Sequence, residues 1–295
     1  MVSRRYQGLW AAVLGCLVGT LTACASPSAP STAAGPQAVG APSGAPAAGG
    51  SVAPIRVLQL NLCNSGIAAC YTGRSTSEAA TVIESQSPDL VTLNEICQGD
   101  LTTLQRSLAE VVPDGRVVTA FRAAQDRRTG DVYRCRNGQP YGIGVVSRWP
   151  SVSRSAAGDG IYPRQDTDDP EERAWLCLGV VTPAAITVCT THLAYTKLKV
   201  ARAQCTFLFR TVIAQLRQRD PAVPVVFGGD LNLGSSHNAD LTSCLPAGSA
   251  DVDDGGVQHV VATPEYVVTG SERIDLRGAT DHQGLLVTLS PRMRG

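Results

Sequence analysis

Residues 54–295 predict an α/β fold of mixed, mostly antiparallel sheets covered by outer helices, and three observations carry that prediction. Nine apolar runs of strand length recur along the segment. Three stretches of helical period lie between some of them, and the middle, Gly142 to Cys189, holds strands with no helix.

The first run is Ile55 to Leu60, followed by the helical pattern Ser77 to Ser85, ahead of which Ser75-x-x-Glu78 reads as a capping box. Leu90 to Leu93 is the second strand, Leu101 to Val111 the second helix and Val117 to Phe121 the third strand. Gly142 to Val146, Trp175 to Val181 and Ile186 to Cys189 then follow one another as antiparallel hairpins do. Lys197 to Gln218 is the longest helical pattern, and Val223 to Phe227, Val257 to Ala262 and Leu285 to Leu289 complete the strands.

The N-terminus is a targeting segment. Arg4 and Arg5 precede the apolar stretch Gly8 to Leu21, which runs into Leu21-Thr22-Ala23-Cys24. That tetrad resembles the bacterial lipoprotein box, in which the Cys is lipidated, so residues 1–23 are expected to be a signal peptide and Cys24 the lipidation site. Residues 25–53 contain only Ala, Ser, Pro, Gly, Thr, Val and Gln and cannot build a core; with Cys24 they read as a tether, 24–53, ahead of a catalytic domain at 54–295. The expected product is exported, either secreted or held to the outer face of the membrane through its lipid anchor.

Composition excludes other classes. Mean hydropathy is +0.02, which rules out a multi-span membrane protein. Setting aside Arg4 and Arg5 leaves 23 basic against 25 acidic residues, so no overall basic field marks a nucleic-acid partner. Of ten Cys, setting aside Cys16 and Cys24 leaves eight with no C-x-x-C pair. An even count in an oxidising compartment points to as many as four disulfides, with Cys63–Cys70 and Cys177–Cys189 the favoured pairs.

Polar residues decide the functional reading. Apolar strands end at Asn61, at Asn94 and Glu95, at His192, and at Asp230 and Asn232, which places amides, carboxylates and an imidazole on one sheet edge, where ligands bind in α/β folds. Asp281-His282 precedes its strand and reaches the same edge if that strand is antiparallel. Each residue has a structural alternative: Asn61 and Asn94 as turn residues, Asp230 and Asn232 as a cap or Asx-turn, Glu95 as a solvated charge. Two of the chain's four His fall in the pattern, which argues against coincidence.

The sequence resembles the endonuclease/exonuclease/phosphatase superfamily. The matches are Leu-Asn at 60–61, Asn-Glu at 94–95 where the family usually has Gln-Glu, Tyr-Gly-Ile-Gly-Val-Val-Ser-Arg at 141–148, Thr-His-Leu at 191–193, Gly-Asp-Leu-Asn at 229–232 and Thr-Asp-His at 280–282, in the family's order. The resemblance implies a four-layered α/β/β/α sandwich and a divalent-metal-dependent phosphoesterase. It implies Glu95 as principal ligand of Mg²⁺ (or Mn²⁺ or Ca²⁺), with Asn61 and Asp281 nearby; hard oxygen donors suit such ions. His192 is expected to donate to a phosphoryl oxygen, Asp230 to orient or deprotonate the attacking water, Asn232 to fix Asp230 or the phosphate, and His282 to act as base or phosphate stabiliser. Asn61 and Arg173 are the implied phosphate contacts, although Arg173 also reads as an ion-pair partner of Glu171 or Glu172.

One position departs from the family. Where many members carry an Asp that buttresses the His of Asp-His, the matching stretch is Val257-Gln258-His259-Val260, and Asp275 is the alternative support. His259 and His237 match no catalytic role. The Arg excess at 122, 127, 128, 134 and 136 is set against an acidic run at Asp166, Asp168, Asp169, Glu171 and Glu172. With no aromatic hairpin of the kind bacterial sphingomyelinases insert into membranes, the balance slightly favours a nuclease, with sphingomyelin or inositol phosphates as alternative substrates and a non-catalytic surface-binding lipoprotein as the alternative of another class. A monomer is expected.

Overall fold

The computed structural model describes residues 53–151, 158–182, 185–234 and 241–292. The signal peptide, Cys24, the tether as far as residue 52, and His237 lie outside the described residues. Among the described residues no helix is long and apolar enough to cross a membrane.

Two six-stranded sheets organise the domain. The first contains β1 (Ile55–Asn61), β2 (Leu90–Cys97), β3 (Val118–Ala123), β5 (Tyr141–Ser147), β13 (Tyr266–Ile274) and β14 (Gly284–Pro291), in the order β13-β14-β1-β2-β5-β3. The second contains β6 (Gly158–Ile161), β8 (Ala174–Val181), β9 (Ala185–His192), β10 (Val225–Asp230), β11 (Ala250–Asp253) and β12 (Gln258–Ala262), in the order β11-β12-β10-β9-β8-β6. Two-residue strands β4 (Gln125–Asp126) and β7 (Glu171–Glu172) pair separately.

Alternation along the strands builds three apolar layers. Val57, Val145, Leu176, Val188, Val226 and Val287 come from both sheets and meet between them. The opposite face of the first sheet, with Leu58, Leu60, Val91 and Leu93, packs on α1 (Ser75–Gln86) and α2 (Asp100–Val111) through Ile83, Leu104 and Leu108. The outer face of the second, with Val225 and Phe227, packs on a long helix through Phe209, Val212 and Ile213. That helix is α3 (Leu198–Phe207), a wider π-helical turn at Leu208–Ile213, and α4 (Ala214–Arg219). The layering is therefore α/β/β/α.

All nine strands read from sequence are present. The five further strands lack the apolar signal: β13, the longest, is an edge strand whose central residues are mostly exposed, and β4, β6, β7 and β11 are two to four residues long. The capping box is a correction. Ser75 is the first helical residue, not the cap, and its hydroxyl donates to Asn64 Oδ1 at 3.2 Å instead of closing on the helix end.

All eight Cys of the domain are paired. Cys63–Cys70 and Cys177–Cys189 join as expected, and the others form Cys97–Cys135 and Cys205–Cys244.

Candidate active site

Each six-stranded sheet contains one parallel pair, β1 with β2 and β9 with β10, and every other strand pairing is antiparallel. The C-terminal ends of these two pairs carry the site: Asn61 stands opposite Asn94, one residue before Glu95, and Asp230 stands opposite His192. Strand β14 runs antiparallel to β1, so Asp281 and His282 just ahead of it arrive at the same edge.

Glu95 reaches the cleft because β2 bulges there. Leu93 pairs with Gly144 and Ile96 with Gly142, leaving Asn94 and Glu95 opposite the single residue Ile143, and Glu95 sits at φ +55°. A left-handed non-glycine residue costs about 1–3 kcal/mol, which the surrounding sheet must offset. Asn94 turns into the space between the sheets, where its Oδ1 accepts from Asp230 N at 2.8 Å and from Gln59 Nε2 at 2.7 Å. Gly228 lets the facing sheet come close beside it; a Cβ there would stand 2.2 Å from Thr92 Oγ1.

Short contacts join six of the expected residues in one line. His192 Nε2 lies 3.9 Å from Glu95 Oε1. Asn61 Nδ2 donates to Glu95 Oε1 and to Asp230 Oδ2, both at 3.0 Å. His282 Nε2 lies 3.8 Å from Asp230 Oδ2 and 3.7 Å from Asp281 Oδ1. Asn232, at φ +47°, donates its backbone N–H to Asp230 Oδ1 and its Nδ2 to Leu193 O, both at 2.9 Å. All but Asn61 line one cleft of about 350 Å³.

Burial sets the electrostatics. It raises the carboxyl pKa of both Glu95 and Asp230, and Asn61 as hydrogen-bond donor only partly offsets this at each. Burial, then the positive fields of Arg173 and His282, hold His192 well below the ordinary 6.5, so its imidazole is neutral. Two desolvated carboxylates in one cleft suit a divalent cation. Cys63 and Cys70 Sγ atoms also come within 4.8 Å of Glu95, but as a disulfide they offer no thiolate, so the donor set is one of hard oxygens. Asn61 Oδ1 is engaged by Cys63 N at 3.1 Å, which turns its Nδ2 toward the carboxylates; in this arrangement Asn61 positions Glu95 and Asp230, and the available carboxylate donors are Glu95 and the exposed Asp281.

Arg173 is buried. Its Nη2 donates to Asp169 Oδ2 at 2.9 Å, and its Nη1 lies 3.2 Å from Glu171 Oε1 and 2.7 Å from His192 Nδ1. Burial opposes its charge, but Glu171 and Asp169 outweigh it and push the pKa further up, while burial lifts Glu171 to about 7. Of these partners Glu171 is expected from the sequence, whereas Asp169 is not. Of the other arginines, Arg122 pairs with Asp159, Arg128 with Asp126, Arg127 bonds the Thr167 and Asp169 carbonyls, and Arg134 bonds the Gly138 carbonyl.

The support of His282 is a second correction. Asp275 is exposed and caps its own turn through Arg277 N at 2.8 Å, and among the described residues the carboxylates within 4.0 Å of the His282 ring are Asp230 and Asp281. Gln258 holds the adjacent backbone by donating to Gln283 O, while its Oε1 accepts from Gln59 Nε2 at 3.3 Å. His259 bridges Asp251 Oδ1 and Leu233 O, both at 3.1 Å, and so braces the loop that carries Asn232.

Residues 58–282 match the model of the Endonuclease/Exonuclease/phosphatase family. The chain belongs to that family. Its members are hydrolases of phosphate esters. No curated protein matches the chain by sequence. Similar solved structures include an endonuclease/exonuclease/phosphatase from Beutenbergia cavernae, 22% identical with TM-score 0.59, covering 81% of this chain and 72% of that one. The catalytic domain of human Nocturnin with bound sulfate is 16% identical, TM-score 0.59, covering 81% and 94%. D. rerio TDP2 complexed with single strand DNA product is 15% identical, TM-score 0.56, covering 80% and 99%. These likenesses establish the shared fold.

Proposed function

We propose that the protein is an exported, membrane-tethered phosphodiesterase that depends on a divalent metal and cuts nucleic acid. The observation that carries this reading is the unbroken line of contacts from His192 through Glu95, Asn61, Asp230 and His282 to Asp281. It brings a neutral imidazole, buried carboxylates and a second imidazole to bear on one small cleft. Glu95 and Asp281 would hold a Mg²⁺ or similar ion, which when bound would supply charge neutralisation on the phosphoryl oxygens.

The chain's own residues do the rest. His192 donates its Nε2 proton as a hydrogen bond to a phosphoryl oxygen. Asp230, whose burial raises its basicity, orients the attacking water and takes its proton. Asn232 and Asn61 hold Asp230 from its two oxygens, and His282 adds a donor to the phosphate or relays the proton. The single-stranded DNA product in the D. rerio TDP2 structure favours nucleic acid over sphingomyelin or inositol phosphates.

The test is a panel of plasmid DNA, RNA, sphingomyelin, inositol phosphates and bis-p-nitrophenyl phosphate, each with and without EDTA. Nucleic-acid cleavage abolished by EDTA is the expected result; turnover of a lipid or inositol phosphate alone moves the assignment to those substrates. Inertness toward all of them supports a non-catalytic surface-binding protein. Cys24→Ala is expected to release the protein from membranes, and a wild type free of acyl mass would refute the anchor.

A further inference from the structure

The cleft carries a feature that the hydrolytic residues leave unused. Tyr195, three residues past His192, is 61% exposed, and Ile67, within the Cys63–Cys70 loop, is 54% exposed; both line the cleft. Scattered apolar side chains at a surface are ordinary, but two on the rim of one polar cleft mark a binding wall.

The Tyr195 ring is braced. Its centroid lies 5.6 Å from Arg173 Cζ, a cation–π contact, and Arg173 is itself pinned by Asp169, Glu171 and His192. A ring backed by an immobile guanidinium and otherwise open to solvent is a preorganised stacking surface. Of the arginines at 122–136, Arg122, Arg127, Arg128 and Arg134 spend hydrogen bonds or ion pairs within the chain, while Arg136 is exposed. That leaves the group attached to the phosphate a share in recognition.

We propose that Tyr195, with Ile67 as an apolar wall, stacks a nucleobase of the strand being cut, so that the substrate is single-stranded or frayed at the cleavage point. The inference rests on the phosphodiesterase reading above and deepens it. A base paired inside a duplex has no free face to offer; an unstacked one has.

The experiment pairs two labelled oligonucleotides with the same charge and backbone, oligothymidylate and an equally long chain of abasic residues, cleaved by the full chain with Mg²⁺. Wild type is expected to prefer the base-bearing strand. Tyr195→Ala cuts that preference about tenfold or more, and Tyr195→Trp restores it. Reading the ratio cancels any effect on chemistry transmitted through Arg173. A wild type indifferent to the bases, or a preference unchanged in Tyr195→Ala, overturns the proposal. A second arm needs no turnover: fluorescence of Tyr195→Trp, with wild type as background, should be quenched saturably by thymidine 5′-monophosphate and not by deoxyribose 5-phosphate. Quenching without cleavage of either strand sinks the phosphodiesterase reading and keeps the platform, whereas cleavage without quenching does the reverse.

Discussion

Arg173 Nη1 stands 2.7 Å from His192 Nδ1, and because a guanidinium can only donate, it occupies the Nδ1 lone pair and leaves the imidazole proton on Nε2. Burial first, and then the same guanidinium, keeps His192 neutral. One buried arginine thus sets the tautomer of the imidazole that faces Glu95 and the cleft, and reinforces its neutrality. The resemblance implies a phosphate contact for Arg173 and the sequence also an ion pair with Glu171; in the fold Arg173 holds Asp169, Glu171 and His192, and so positions the imidazole.

Arg173→Lys should therefore be far more damaging than a conservative exchange suggests. An ammonium cannot serve His192, Asp169 and Glu171 with a planar fork. The expected loss is about 10²-fold in kcat, with the His192 Nε2–H signal in ¹⁵N NMR replaced by a mixture of tautomers. Arg173→Met, which leaves buried carboxylates unpaired, should also lower stability by about 3–5 kcal/mol.

Glu95→Gln should separate activity from stability. The glutamine can still accept from Asn61, yet it offers a metal no charge. Activity is expected to fall about 10²–10³-fold and metal affinity to drop in calorimetric titration. Because the carboxylate is held against desolvation, thermal stability in EDTA should be unchanged or higher. A variant that keeps metal affinity would remove Glu95 from the metal site.

Legibility in the sequence followed periodicity. Strands β1, β2, β9 and β10 are buried along their length and announced themselves as apolar runs, so the polar residues at their ends stood out. Strand β13 did not, because an edge strand with its middle in solvent has no apolar stripe to read. Asp169 and Tyr195 were hidden for another reason. Each acts through Arg173, and a local pattern cannot reveal that a charged loop folds inward around an arginine.

Gln258→Ala and Asp275→Asn should part company. Gln258 touches Gln283 O, Gln59 and Asp254, so truncation strands buried polar groups at a cost of about 1–3 kcal/mol and shifts His282 through its backbone. Activity should fall less than in His282→Ala. Asp275→Asn, altering only an exposed turn, should change neither melting temperature nor rate; a severe loss there would restore Asp275 as the support of His282.

The disulfides hold the site's own strands. Cys63 lies two residues past Asn61 and Cys97 two past Glu95, so two bridges anchor the segments that leave those residues. Removing Cys97–Cys135, which closes a separation of 38 residues, should cost about 4 kcal/mol by the chain-entropy model. Chemical denaturation of the Cys97→Ala/Cys135→Ala protein measures this, and peptide mapping of unreduced protein should recover all four bridges.

His259 offers a test by pH. Its two ring nitrogens lie against acceptors, Asp251 Oδ1 and Leu233 O, an arrangement that favours the doubly protonated ring. Burial works against that charge, but the Asp251 contact outweighs it, and the pKa stands above the ordinary 6.5. A histidine whose folded pKa is raised contributes stability that is complete below the unfolded pKa and fades as pH rises through the folded value. Wild-type unfolding free energy should accordingly decline from pH 6 to pH 9 by more than that of His259→Gln. The variant should be less stable at pH 6 by about 1.5–3 kcal/mol, the worth of a charge-assisted hydrogen bond, and the gap should narrow at pH 9. Parallel curves for the two proteins across that range would mean that the ring is neutral in the fold, and that Asp251 merely accepts from an uncharged tautomer.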